Sequence, residues 1–163
     1  MDRRTTLTLP SIALLFLAAV LATAVPEIGL AQTNLGTWKL NLAKSAFSPG
    51  PAPRSQTLKF EGAGQDLKDT VEGIDPEGKP IKAVYIHIYD GKFYPTTGAV
   101  GVDSTAYTRV DPNIVKFTRM NAGKVVQTGL HVVSSDGKTL TVITTGTDAN
   151  GRELNSVGVY EKQ

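Results

Sequence analysis

From residue 35 onward, apolar and polar positions alternate with period two along most of the chain. That period marks strands with one face on a core and the other in water. Ten such segments can be traced, at 35–42, 55–62, 67–74, 80–89, 92–96, 104–110, 114–120, 124–133, 138–146 and 153–161. They are rich in Val, Ile, Thr and Tyr and are cut by Gly, Asp, Asn and Pro, as strands and their turns require. In 80–89 the alternation is sharpest. Val84, Ile86 and Ile88 share one face, and Ala83, Tyr85, His87 and Tyr89 share the other.

The connections are short. Asp90-Gly91 and Asp136-Gly137 are suited to hairpin turns that need positive φ. Short turns leave no room for crossover helices, so the strands form an antiparallel up-and-down meander. About ten strands in one sheet leave exposed edges unless the sheet closes, so an all-β barrel is expected, with a two-sheet β-sandwich as the alternative. Residues 43–54 break the pattern with three prolines and a glycine. They read as a stiff connector from the first strand to the second, or as a lid over one mouth. Asp75-Pro76-Glu77-Gly78-Lys79 and Asp148-Ala149-Asn150-Gly151-Arg152 have the same Asp-x-x-Gly-basic form, and read as one turn used twice.

The first thirty-one residues follow another rule. Asp2-Arg3-Arg4 is a charged start, 12–22 is an unbroken apolar run, and Gly29-Leu30-Ala31 places small residues before a cut at Gln32. This is the form of a signal peptide, and the run is short for a spanning helix. Residues 1–31 are therefore expected to be removed, leaving 32–163 as a single β-barrel domain with no membrane span, periplasmic or extracellular. The chain has no Cys, so neither a lipid-modified Cys nor disulfides contribute.

Gly36-Thr37-Trp38 on the first strand resembles the Gly-x-Trp signature of the calycins: lipocalins, fatty-acid-binding proteins and avidins. "GTWKL" is similar to the start of fatty-acid-binding proteins, and "VYEKQ" to their end. The chain also resembles small exported bacterial lipocalin-like proteins. The resemblance implies a barrel closed at one end by Trp38, with Gly36 permitting tight packing there. It also implies a basic residue near the chain end against the Trp, for which Lys162 is the candidate. The family's terminal Arg-x-Tyr corresponds here to Gly158-Val159-Tyr160, and its helical lid to the proline-rich 43–54.

Catalytic chemistry finds little support. The chain has two His and no Cys, and 17 Lys+Arg against 15 Asp+Glu. The charges are scattered, so nucleic acid is not an expected partner. His87 and His131 lack a third ligand for zinc and read as satisfied barrel-wall residues, and no metal or cofactor is expected. Asp66 with Asp69, and Glu72 with Asp75, are expected in solvent or at turns rather than in acid–base work. The best candidate site is the face of Tyr85, His87 and Tyr89. Turned inward, those rings would hold a small, mostly apolar ligand with a polar handle. That face carries no charge, so a strongly anionic ligand is not expected on it. The expected function is non-enzymatic binding of such a ligand by a monomer. The alternative is an envelope interaction or structural module with a filled core.

Overall fold

The computed structural model describes residues 34–63 and 66–163. The expected signal peptide lies outside the described residues. The strands are β1 (Gly36–Leu40), β2 (Ser55–Ala63), β3 (Asp66–Ile74), β4 (Pro80–His87), β5 (Asp90–Thr97), β6 (Ser104–Asp111), β7 (Ile114–Asn121), β8 (Lys124–Val133), β9 (Thr139–Thr147) and β10 (Glu153–Lys162). Each pairs antiparallel with the next, and β1 pairs with both β2 and β10. The sheet is therefore a closed barrel rather than a sandwich, and closure leaves no long free edge. The described residues hold no α-helix. One 3₁₀ turn, Leu42–Lys44, follows β1.

Register decides which side chains share the interior. Trp38 stands opposite Leu58 on β2 and Lys162 on β10. Trp38 is fully buried in a cluster with Leu58, Phe60, Val133, Leu140 and Tyr160. Its indole N–H donates to the Asn34 carbonyl at 2.7 Å, and Lys162 Nζ lies 5.1 Å from its ring centre. Gly36 has φ of 122°, and a Cβ there would come within 3.1 Å of the Lys162 side chain. The glycine of the Gly-x-Trp triplet thus clears the path by which Lys162 reaches the indole. The contact from β10 is Tyr160. Val157 and Val159, the flanking valines of β10, have the opposite parity and sit on the outer face.

The inner face of β8 carries one glycine for a similar reason. A Cβ on Gly129 would fall 2.3 Å from the Phe117 ring and 2.0 Å from the Ile143 carbonyl oxygen. Phe117, with no exposed surface, fills that space.

Two seams depart from regular pairing. Along β10, β1 covers only Leu40 to Trp38. The proline-rich segment takes over from there: Ala46 and Val157 exchange both backbone bonds, and the Asn155 amide donates to the Ser48 carbonyl. Residues 45–48 thus prolong the sheet, which neither the connector nor the lid reading anticipates. At the second seam, β4 and β5 pair only at Val84↔Thr97 and Tyr85↔Thr96. Asp90-Gly91 forms the bulged start of β5 rather than a tight two-residue hairpin.

The repeated turn is real. The Lys79 amide donates to Asp75 Oδ1 and the Gly78 amide to the Asp75 carbonyl. The Arg152 amide donates to Asp148 Oδ1 and the Gly151 amide to the Asp148 carbonyl in the same way. An aspartate that bonds the backbone of its own loop fixes the turn without a core contact.

Candidate ligand-binding site

Alternation along β4 turns Ala83, Tyr85 and His87 inward, all buried, and leaves Ile86 54% exposed. The aromatic face is thus the interior one. Within the barrel lies a partly open cavity of about 170 Å³. Its apolar wall comes from Leu58 and Phe60 of β2, Val71 of β3, Val142 of β9 and the rings of Tyr85, Tyr107 and Tyr160. Phe47 of the proline-rich segment completes it.

Of the three candidate residues, Tyr85 lines the cavity. His87 sits behind the wall, 2% exposed, with its ring stacked on Tyr107 at 3.9 Å and 17°. Tyr89 lies past the end of β4. Its hydroxyl is 3.0 Å from Asn34 Nδ2, and the Arg109 guanidinium lies 4.3 Å from its ring centre. The three share an interior side, but only one reaches the open space.

Asp69 reverses an expectation. It is 4% exposed, lines the cavity, and its Oδ2 is 3.1 Å from His87 Nε2. An ionised carboxylate only accepts, so in that state His87 Nε2–H donates to it, leaving His87 Nδ1 sealed without a partner. Burial pushes the Asp69 carboxyl above its ordinary range, and the His87 bond pulls it back. The signal was available: on β3, Asp69 has the parity of Leu67 and Val71, the inner face.

Five further polar side chains line the cavity, Gln56, Arg119, His131, Thr144 and Ser156, none of them singled out by the sequence as a site residue. Arg119 of β7 has the inward parity of Val115 and Phe117. Its guanidinium lies 4.5 Å from the Phe117 ring centre and 5.4 Å from that of Tyr85. Nη1 donates to Gln127 Oε1 at 3.0 Å, while Nε is buried without a partner. Among the described residues Arg119 forms no ion pair. His131 of β8 is 5% exposed and packed among Phe60, Phe117 and Tyr107, with ring centres 5.2 to 6.0 Å away. Its Nδ1 is sealed without a partner, so it is not the satisfied wall histidine expected. Burial, with Arg119 and His87 nearby, lowers its pKa to about 3, so the imidazole is neutral. Burial also drives the Tyr107 and Tyr160 phenols up, and both stay protonated. The Tyr160 hydroxyl donates to Gln56 Oε1.

The arrangement is a ring-lined chamber of mixed polarity, with one cation, one neutral imidazole, one carboxylate already engaged by His87, and the uncharged polar side chains of Gln56, Thr144 and Ser156. Among the described residues no cluster of three or more His, Cys, Asp or Glu could hold a metal ion.

No protein-family model matches the chain, and no curated protein matches it. Among solved structures, it is similar to a redesigned β-barrel, mFAP1, bound to DFHBI, at 15% identity and a TM-score of 0.48, over 82% of this chain and 98% of that one. A second redesigned β-barrel gives 15% identity and a TM-score of 0.47, over 80% of this chain and 92% of that one. Lobster apocrustacyanin A1 gives 10% identity and a TM-score of 0.42, over 82% of this chain and 62% of that one.

Proposed function

We propose that this protein is an exported, monomeric, non-enzymatic carrier or scavenger that holds one small, mostly apolar molecule inside its barrel. The observation that carries the reading is the cavity of about 170 Å³ walled by Tyr85, Tyr107, Phe60 and Tyr160 yet lined by His131, an imidazole without a hydrogen-bond partner. Protein interiors are close-packed and their buried polar groups are normally paired. An interior with both a void and an unpaired polar group is poorly suited to serve only as a packed core. A structural module with a filled core accounts for neither.

The volume also bounds the occupant. Drug-sized ligands occupy pockets of roughly 300 Å³ and above, whereas a cavity of about 150 Å³ accepts a single benzene ring. The ligand is therefore small. Export is supported by the charged start, the apolar run at 12–22 and Gly29-Leu30-Ala31.

Native mass spectrometry of protein purified without denaturation from its own cells tests the reading. One added mass of a small organic molecule is expected. A bare chain that also gives no calorimetric heat with toluene would overturn it. N-terminal sequencing of the same preparation is expected to return Gln32 from a fraction outside the cytoplasm. Met1 in the cytosolic fraction would refute export.

A further inference from the structure

We infer that the ligand is a single-ring organic anion, an aryl carboxylate whose ring fills the aromatic chamber and whose charge rests on Arg119. The inference deepens the binding reading above and rests on it.

Arg119 is a half-buried, cavity-lining guanidinium with five N–H donors; Gln127 takes one and the Tyr107 hydroxyl engages the group as well, leaving donors to spare. Its Nε is buried without a partner, and no carboxylate lies within ion-pair distance among the described residues. Withdrawing a cation from water without an ionic partner is unfavourable even when it is half-buried, and an anion delivered to it offsets that. Asp69, the other charged residue lining the cavity, is bonded to His87, and Arg119 acts on it only through space. The uncharged face of β4 argues against an anion only for that face, and Arg119 enters from β7.

The rest of the wall selects the body of the ligand. Tyr85, Tyr107, Phe60 and Tyr160 present ring surface, which favours another ring over a flexible chain. The volume admits one ring with a small substituent and does not enclose a long acyl chain. His131, neutral and unpaired, offers a second polar contact beside the cation. The guanidinium fork suits the two oxygens of a carboxylate.

Calorimetry with three probes tests this: benzoate, benzyl alcohol and hexadecanoate, on the wild type, Arg119→Met and Arg119→Lys. Benzoate is expected to bind the wild type at least about tenfold more tightly than benzyl alcohol, in line with a charged hydrogen bond. Arg119→Met is expected to erase that preference, so that benzoate binds the variant no more tightly than benzyl alcohol does, and Arg119→Lys to keep part of it. The wild-type comparison decides the matter even if a variant fails to fold. Equal affinity for benzoate and benzyl alcohol overturns the anion inference and leaves the binding function standing. Binding of hexadecanoate alone does the same. Heat from none of the three, together with a bare native mass, removes both.

Discussion

His131 stays neutral in the fold at pH values where a free imidazole would charge, and this has a thermodynamic signature. Its pKa falls to about 3 in the barrel, against an ordinary value of 6.5. As pH drops below 6.5 the unfolded chain takes up a proton that the folded one refuses. Stability from this residue is therefore full at neutral pH and declines by about 1.4 kcal/mol per pH unit until about pH 3. Asp69, held up by burial, contributes with the opposite sign, since the folded state accepts its proton more readily than the unfolded one. Comparison with His131→Gln isolates the histidine. Urea midpoints measured from pH 7 to pH 4 are expected to fall more steeply in the wild type than in the variant, and parallel curves would show that the imidazole charges freely inside the barrel. Trp38 makes the other residue-scale prediction. It has no exposed surface and lies in a cluster of six buried side chains. Trp38→Ala is expected to cost about 3–5 kcal/mol in denaturant titrations. The intact protein should emit at blue-shifted wavelengths and resist iodide quenching. Emission like that of free tryptophan in water would contradict the burial.

At the scale of elements, local pattern carried nearly all the strand assignment and little of the site. Parity along each strand gave which residues share a face, though not which face of β4 is interior, and Asp-Gly, Asn and Pro gave the turns, so all ten strands lie within a few residues of their sequence-derived bounds. The same parity places Asp69 and Arg119 inside, yet a charge on an apolar face reads as an exception when each strand is considered alone. Their neighbours, His87 for Asp69 and Phe117 for Arg119, become visible only when strands from different parts of the chain meet around the cavity. The β4–β5 seam was equally hidden, because pairing is a property of two strands and both read as ordinary ones. That seam holds two paired positions, whereas β2 and β3 pair over nine, from Ser55↔Ile74 to Ala63↔Asp66. Sparse pairing lowers the free energy of local opening. Backbone amides in 86–95 are therefore expected to exchange with deuterium faster than those of β2 and β3, and equal protection would show the seam to be as firm as the rest.

For the molecule as a whole, closure is made by its ends. The Gln163 amide donates to the Thr37 carbonyl, and Trp38 pairs with Lys162. Deleting residues 159–163 removes Tyr160 from the buried cluster and Lys162 from the indole. The shortened chain is expected to show no cooperative thermal transition by circular dichroism, and a sharp one would mean that the barrel stands without its final turns of sheet.

This end-to-end closure bears on the order of events in the cell. Pairing the first strand with the last costs the loop-closure entropy of nearly the whole barrel before that contact rewards it. While the chain is still being synthesised, the partner of Trp38 does not yet exist, and the growing polypeptide has no stable barrel to fall into. Under the export proposed above, a barrel whose closing contacts wait for β10 suits passage of an unfolded chain through a narrow channel.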